Sequence, residues 1–315
     1  MEKCVYLQEY IHPKARALLA EKVKIIDQIE KINEADAIIS RNQFKVTKEV
    51  IDQADKLKVI GVHGTGMDNV DINAATQRGV EIFNTPGINA RSVAELNVLL
   101  AMNLLRKTGQ AIYDIKSGKS MENAKQDYQG RELTGKKIGF IGYGTIAKHT
   151  ADILKSGFSN QVYAWSRSLT PEKAEEEQVT YCSGVEEVMS STDIIFLGLK
   201  YTEENKYMIN IDNLRKCKPS AILINTARGK LVKEEDLYQA LTQHIIAAAA
   251  SDVFEKEPVS SDNILVSLDN FIPTPHLGAN TEEALYRVGM AVVTGVLKRL
   301  SIAVTEEEMQ KYQLL

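Results

Sequence analysis

The chain is poor in cysteine, has no surplus of positive charge and lacks any long apolar run. Its three cysteines, Cys4, Cys182 and Cys217, lie far apart with no CxxC pair. That excludes a cysteine metal cluster and reads as the usage of a reduced, cytoplasmic protein. Lys and Arg total 38 against 42 Asp and Glu, a net charge of −4. A protein that neutralises phosphate backbones is normally basic, so the balance argues against nucleic acid as a partner. No apolar stretch approaches the ~20 residues that span a bilayer, and MEKCVYLQEY has no basic-then-apolar leader pattern, so no membrane partner is expected. Internal repeats, low-complexity tracts and charge blocks are also missing; the acidic run 175–177 reads as a solvated helix face. What is there is 315 residues, 44% hydrophobic and 25% charged, which excludes wholesale disorder and suits two domains.

Short β-branched runs alternate with stretches of helical period, the pattern that builds parallel sheets from βαβ units. In the first ninety residues the runs fall at 4–7, 23–26, 37–39, 57–62 and 80–83, with amphipathic pieces at 13–21 and 47–53. A second series opens at Lys137 and reads KIGFIG, QVYAW, DIIFLGL, AILINTA, AAAASDVF and NFIPTP, six strands that make a doubly wound dinucleotide-binding sheet. Two long helical stretches bracket this series. One runs from Ser92 to about Lys116 and opens on a Ser92–Glu95 capping box, with apolar Leu96, Leu99, Leu100, Leu104 and Leu105; the other covers 281–300. The expected architecture is therefore α/β with two doubly wound domains. The second domain, 93–280, is inserted into a first made of 1–92 and 281–315.

Gly142-Tyr143-Gly144-Thr145-Ile146-Ala147 reads as GxGxxA. Glycine pairs are common in turns, but here strand KIGFI runs straight into the first glycine and an amphipathic segment comes next. Gly142 meets the need for a tight turn, Gly144 lets backbone approach a pyrophosphate, and Ala147 is small enough for helix–strand packing. The free N–H groups and dipole at the helix start then hold the phosphates. Gly64-Thr65-Gly66 also comes after a strand, yet position 69 is Asn69, and Asp68 and Asp71 nearby bring carboxylates that repel a pyrophosphate; another task and an ordinary turn both remain open there. Strand QVYAW ends in Ser166-Arg167-Ser168, where an NAD enzyme usually places Asp or Glu for the ribose hydroxyl. Two hydroxyls flanking a guanidinium, with no carboxylate, favour NADP over NAD.

Three further strand-end loops carry polar residues: Thr226-Ala227-Arg228-Gly229, Glu255-Lys256-Glu257-Pro258 and His276-Leu277-Gly278-Ala279. Carboxyl ends of parallel strands are where open α/β sheets bind ligands. Converging there, an Arg, a Glu and a His suit hydride transfer to a 2-oxo acid. The guanidinium clamps a carboxylate and polarises the adjacent carbonyl, and the imidazolium gives a proton to the oxygen. The carboxylate beside the imidazole orients it. Closure about the helix starts at Ser92 and Thr281 is expected, because hydride transfer needs a dry site. His12, His63, His149 and His244 have no comparable setting and read as structural.

These residues carry a resemblance. LKVIGVHGTGMDNVDINAATQRGVEIFNTPGINARSVAEL, GRELTGKKIGFIGYGTIA, INTARGKLV, SDVFEKEP and TPHLGA resemble, nearly end to end, the D-isomer-specific 2-hydroxyacid dehydrogenases. That group contains phosphoglycerate dehydrogenases and glyoxylate/hydroxypyruvate reductases. The resemblance implies a Rossmann domain inserted into a flavodoxin-like one, with Arg228, Glu257 and His276 as the catalytic set. Thr145 and Ile146 match positions at the pyrophosphate, Ala227 and Asp252 positions near the nicotinamide, and Gly278 lies beside it. Gly142, Gly144, Ser166, Arg167, Ser168 and Thr226 complete the implied cofactor set. Thr65 and Gly66 match positions that offer N–H groups to the substrate carboxylate, and Arg41 one that contacts its far end. A homodimer paired through the nucleotide-binding domains is implied, with a small 2-oxo or 2-hydroxy acid as substrate.

The chain departs from the family where a run like LPLTPET is usual. It has Leu199-Lys200-Tyr201-Thr202-Glu203-Glu204, and Lys200 reads either as a surface lysine or as a reach toward a 2′-phosphate. Ending at Leu315, it is not expected to carry a serine-responsive regulatory domain. A non-catalytic NAD(H)-sensing corepressor of the same architecture is the alternative reading. Formate dehydrogenases resemble the pattern with Gln in place of Glu257. The YxxxK pair of short-chain dehydrogenases occurs here as Tyr10 and Lys14, in the wrong domain.

Overall fold

Alternating β-branched runs and amphipathic helices wind into two parallel sheets in the computed structural model, which describes residues 2–41 and 43–313. The chain divides into two compact units, Met1–Asn89 with Ala279–Leu315, and Ala90–Gly278. Among the described residues, no helix is long and apolar enough to cross a membrane.

The first unit holds β1 (Cys4–Tyr6), β2 (Lys24–Ile26), β3 (Ala37–Ser40), β4 (Val59–Val62) and β5 (Glu81–Asn84), all parallel in the order β2-β1-β3-β4-β5. That is the flavodoxin-like winding. Because helices cover both faces, β1, β3 and β4 are buried throughout and read as continuous apolar runs. Val5, Ile39 and Val59 pack on one face with Leu18, Leu19, Val292 and Val296, while Tyr6, Ile38 and Ile60 pack on the other with Ile51 and Ala75. The Pro13–Lys22 helix starts where the His12 imidazole accepts the Lys14 N–H, with proline at its first position. The Glu282–Arg299 helix is capped by Thr281, carries Glu282 and Glu283 in its first turn and ends on Lys298 and Arg299, which matches its dipole.

The second unit holds β6 (Lys137–Ile141), β7 (Gln161–Trp165), β8 (Thr180–Tyr181), β9 (Ile194–Leu197), β10 (Ile222–Asn225), β11 (Ala248–Ser251) and β12 (Phe271–Pro273). Their order is β12-β11-β10-β9-β6-β7-β8, all parallel, with the chain direction across the sheet reversing between β6 and β9. This is the Rossmann winding with a strand added at one edge. The sheet has seven strands where six were expected; β8 is two exposed residues, too short to leave an apolar run in the sequence. Phe140 stacks on Phe196 at 5.3 Å on one face, and Ile141, Ile195 and Leu223 fill the other.

Two expectations at the seam are corrected. The stretch 92–116 is two helices, Ala90–Arg106 and Thr108–Lys116, separated by Lys107 in the left-handed region at φ 52°. The Asn103 side chain causes the break: its Oδ1 accepts from the Gly109 N–H and the Thr108 hydroxyl, both at 2.7 Å, and so competes with the backbone ladder. Ser92 and Glu95 also form no capping box. The helix has already begun at Ala90, so buried Ser92 donates to the Gly278 carbonyl at 2.8 Å and Glu95 pairs with Arg91.

His63, directly after β4, is 5% exposed. Burial, reinforced by the Arg41 cation, pushes its pKa from 6.5 down to about 4. Between those values the unfolded chain binds more protons, so this residue makes stability fall as pH drops from 6.5 to about 4, and the loss levels off below. His63→Gln is expected to flatten that part of the stability profile by up to about 3 kcal/mol. Urea midpoints measured across the range for both proteins check this; an unchanged pH dependence rules it out.

Candidate active site

Parallel winding brings the carboxyl ends of β6, β7, β10, β11 and β12 to one edge of the seven-stranded sheet. Every site residue expected in this unit leaves the sheet along that edge. Gly142, Gly144, Thr145 and Ile146 come after β6, and Ser166, Arg167 and Ser168 after β7. Thr226, Ala227 and Arg228 come after β10, Asp252 and Glu257 after β11, and His276 and Gly278 after β12. Arg41, Thr65 and Gly66 lie in the other unit, after β3 and β4 at the carboxyl edge of its own sheet.

His276 and Glu257 meet directly, with Nδ1 2.7 Å from Oε2. Both side chains are about one-third exposed, at 37% and 36%. The second carboxylate oxygen, Oε1, accepts the Phe254 N–H at 3.1 Å. Burial alone pushes the Glu257 carboxyl up. The His276 hydrogen bond and charge, the Phe254 N–H and the Arg228 guanidinium outweigh that and hold it below its ordinary value. Glu257 is thus an anion bonded to His276, with Arg228 near enough to act on its charge.

Loop packing fixes where these groups stand. Arg228 leaves β10 in extended conformation; its Nη1 donates to the Ala227 carbonyl at 2.7 Å. The Asn225 side chain accepts the Ala227 N–H at 3.0 Å and donates to the Arg228 carbonyl at 3.0 Å, which closes the turn. Gly229 then passes so close to the next loop that a Cβ would stand 2.0 Å from the Phe254 carbonyl carbon, so only glycine lets the Arg228 and Glu257 loops touch.

His276 sits in the left-handed region at φ 57°, a conformation that a non-glycine residue holds only when its surroundings over-determine it. Here they do. Asp252 is 1% exposed, and its carboxylate accepts from the Thr274 hydroxyl at 2.6 Å and from the Leu277 and Gly278 N–H groups at 2.7 and 2.8 Å. The His276 N–H itself donates to the Asp252 carbonyl at 2.9 Å.

The turn after β6 is ready for a diphosphate. Gly142 holds φ 95°, and a Cβ on it would meet the Gly198 carbonyl at 2.5 Å, so a side chain is excluded there. A Cβ on Gly144 would meet nothing within 4 Å, which is the open approach that a ligand fills. Gly144 caps the Thr145–Phe158 helix without any side-chain bond, so the first N–H groups of that helix are offered outward. These residues fit the diphosphate of a dinucleotide. Beyond β7, Arg167 and Ser168 are exposed, and the Ser166 carbonyl accepts the Leu169 N–H at 3.2 Å. Lys200 is exposed in the loop after β9. The Glu204 carboxyl is held below its ordinary value, first by the Thr202 hydroxyl and in smaller part by Arg167.

Sequence reasoning missed a buried polar chain that joins the two halves of this edge. The Thr226 hydroxyl donates to Asn97 Oδ1 at 2.8 Å, Asn97 Nδ2 to the Thr150 hydroxyl at 3.1 Å, and that hydroxyl to the Ile146 carbonyl at 2.9 Å. Asn97 is 2% exposed within an otherwise apolar helix face, and a lone amide at such a position is the signal that could have found it.

Known proteins resemble this chain in sequence and fold. A family model described as D-isomer specific 2-hydroxyacid dehydrogenase, NAD binding domain, matches residues 98–278. The D-3-phosphoglycerate dehydrogenase of Methanocaldococcus jannaschii is 39% identical over 272 residues, 86% of this chain and 51% of that one. The chain thus spans about half the length of the phosphoglycerate dehydrogenases it matches. The hydroxypyruvate reductase of Thermotoga maritima is 34% identical over 95% of this chain and 98% of its own. The crystal structure of the TT0316 protein from Thermus thermophilus superposes with a TM-score of 0.85 at 28% identity, covering 95% of this chain and 97% of that one.

Proposed function

The chain belongs to the D-isomer-specific 2-hydroxyacid dehydrogenase family, and on that premise we propose that it reduces the C2 carbonyl of a small 2-oxo acid, of the glyoxylate, hydroxypyruvate or phosphoglycerate type. The observation that carries this reading is the 2.7 Å contact of His276 Nδ1 with Glu257, beside Arg228 and on the same sheet edge as the turn that fits a diphosphate. A nicotinamide dinucleotide, when bound, supplies the hydride.

The chain's own groups do the rest. With Nδ1 engaged by Glu257, His276 presents Nε2 as the atom that gives a proton to the carbonyl oxygen. Glu257 stabilises the imidazolium and holds its ring plane. Arg228 clamps the substrate carboxylate and polarises the neighbouring carbonyl. Asp252 keeps the His276 loop in place, in addition to the role near the nicotinamide that the family resemblance implies. Gly142, Gly144, Thr145 and Ile146 hold the diphosphate, while Ala227, Thr226 and Gly278 bound the nicotinamide end. Arg41, Thr65 and Gly66 contact the substrate from the first unit's sheet edge. Three buried, free cysteines suit a cytoplasmic enzyme.

We place the pairing surface of a homodimer on the Ala90–Arg106 and Thr108–Lys116 helices. They expose Leu99, Met102, Ile112, Tyr113 and Ile115, an apolar patch that a monomer rarely shows to water. Light scattering is expected to return twice the 35.0 kDa chain mass, and Ile112→Asp to shift it toward one chain.

A spectrophotometric screen of 2-oxo acids with NADPH and NADH tests the main reading and separates an enzyme from a binding-only corepressor. His276→Ala is expected to lower kcat by at least about a hundredfold, the scale of a general acid; near-wild-type turnover in that variant refutes the assignment. Ser166, Arg167 and Ser168, with exposed Lys200 across the β6 turn, support a preference for NADPH. The ratio of kcat/KM for the two cofactors decides that point, and a strong NADH preference ends it.

A further inference from the structure

At the carboxyl edge of the five-stranded sheet, the segments leaving neighbouring strands β1, β3 and β4 carry Glu9 and Tyr10, Arg41, and His63 with Thr65. Glu9 spends both carboxylate oxygens on the backbone after β3. Oε2 accepts the Arg41 N–H at 2.6 Å and Oε1 the Gln43 N–H at 2.7 Å. A fixed negative charge therefore stands at the root of Arg41. The guanidinium itself makes long contacts, 3.3 Å to the Tyr10 carbonyl and 3.4 Å to Asn280 Oδ1. His63, directly after the next strand, is 5% exposed, and its Nε2 has no hydrogen-bond partner among the described residues. Burial keeps this imidazole neutral at physiological pH, so it adds a polar atom and no charge.

The surrounding charge is wrong for a phosphate. Segments 7–12, 41–47 and 63–71 hold acidic Glu9, Asp68 and Asp71 against basic Arg41 and Lys45. A phosphate monoester brings about −1.5 to −2 charges and is held by clustered cations or by an uncapped helix start. Among the described residues, neither is found directly after β1, β3 or β4. The helix after β1, Pro13–Lys22, is capped by His12, and the helix after β3, Lys48–Gln53, by Thr47. The helix after β4, Ile72–Gln77, already has a carboxylate in place, Asp71 accepting the Ala74 N–H at 2.9 Å. All three starts are occupied by side chains of the chain itself, in contrast to the open start at Gly144.

We infer that this edge selects a 2-oxo acid whose far end is an uncharged hydroxyl group or is absent, and discriminates against one whose far end is phosphorylated. Arg41 and His63 are the specificity-determining residues that hydrogen-bond the far group, and Glu9 is the built-in counter-charge that turns a phosphate away. The inference rests on the proposed placement of Arg41, Thr65 and Gly66 at the substrate.

Wild-type kcat/KM for hydroxypyruvate and for phosphohydroxypyruvate, measured at one cofactor concentration and one ionic strength, is the test. The unphosphorylated acid is expected to win by at least about tenfold, a conservative reading of the cost of opposing like charges. Parity, or preference for the phosphorylated acid, overturns the inference and leaves the reductase reading standing. Turnover of neither acid overturns both. Glu9→Gln removes the counter-charge and keeps one acceptor oxygen. It is expected to narrow the ratio at least about threefold, since only the charged competitor gains from the change. A ratio unchanged in that variant overturns the role of Glu9, and the wild-type comparison stands whether or not the variant folds.

Discussion

One buried carboxylate governs the sheet edge that carries Arg228, Glu257 and His276. Asp252 sits at the end of β11 with three donors from the loop after β12 converging on its two oxygens. A charge this deep is tolerated only when its lone pairs are met, and the hydroxyl and two N–H groups that meet them belong to Thr274, Leu277 and Gly278, the residues flanking His276. Satisfying Asp252 and forcing His276 into the left-handed region are thus the same event. The imidazole is aimed at Glu257 by a backbone that has little alternative, and Glu257 is aimed back by the Phe254 N–H. Gly229 lets the Arg228 loop close onto that same Phe254 carbonyl. Arg, Glu and His come from three neighbouring strands, yet their loops are fastened to one another and not merely to the sheet.

The two sheets share a parallel winding and use their helix starts in opposite ways. In the seven-stranded sheet the helix after β6 begins on a glycine with no capping side chain, which leaves N–H groups and a dipole unspent. In the five-stranded sheet the helices after β1, β3 and β4 begin on His12, Thr47 and Asp71, each of which consumes an N–H group. A capped start gains local stability and loses anion affinity. The winding alone says nothing of which choice is made; the residue at the cap decides it. On this ground the turn after β6 fits a diphosphate, and the helix starts after β1, β3 and β4 do not.

Much of this was legible in the sequence because parallel strands buried on both faces leave unmistakable runs, and the residues just past the end of each run are then the candidates for ligand contact. Arg228, Glu257 and His276 were singled out in that way, as was the GxGxxA turn, and all stand past strand ends in the structure. The features that stayed hidden leave the apolar period unchanged or are too short to have one. Asn103 breaks a helix whose apolar period continues past the break, and Ser92 with Glu95 looks like a capping box although the helix has already begun at Ala90, after the turn at 86–89. Edge strand β8 is too short to have a period at all.

His63 escaped for a different reason. It stands after β4 as His276 stands after β12, so the strand-end rule applied to it equally, yet the loop that follows it, with Gly64, Gly66, Asp68 and Asp71, gave the imidazole no evident role. The chemistry that makes it distinct is negative. It is buried, uncharged and beside a guanidinium, with Nε2 lacking a hydrogen-bond partner among the described residues. A buried imidazole nitrogen without a partner costs free energy on the scale of a lost hydrogen bond, and such costs persist where a ligand group can repay them. Glu9 shows the same logic from the other side, since both its oxygens are spent inside the protein and its charge remains. A polar edge that has a neutral imidazole nitrogen without a partner among the described residues, and a guanidinium with a carboxylate fixed at its backbone, is matched to a hydroxyl, whose oxygen accepts from the guanidinium, more closely than to any second anion.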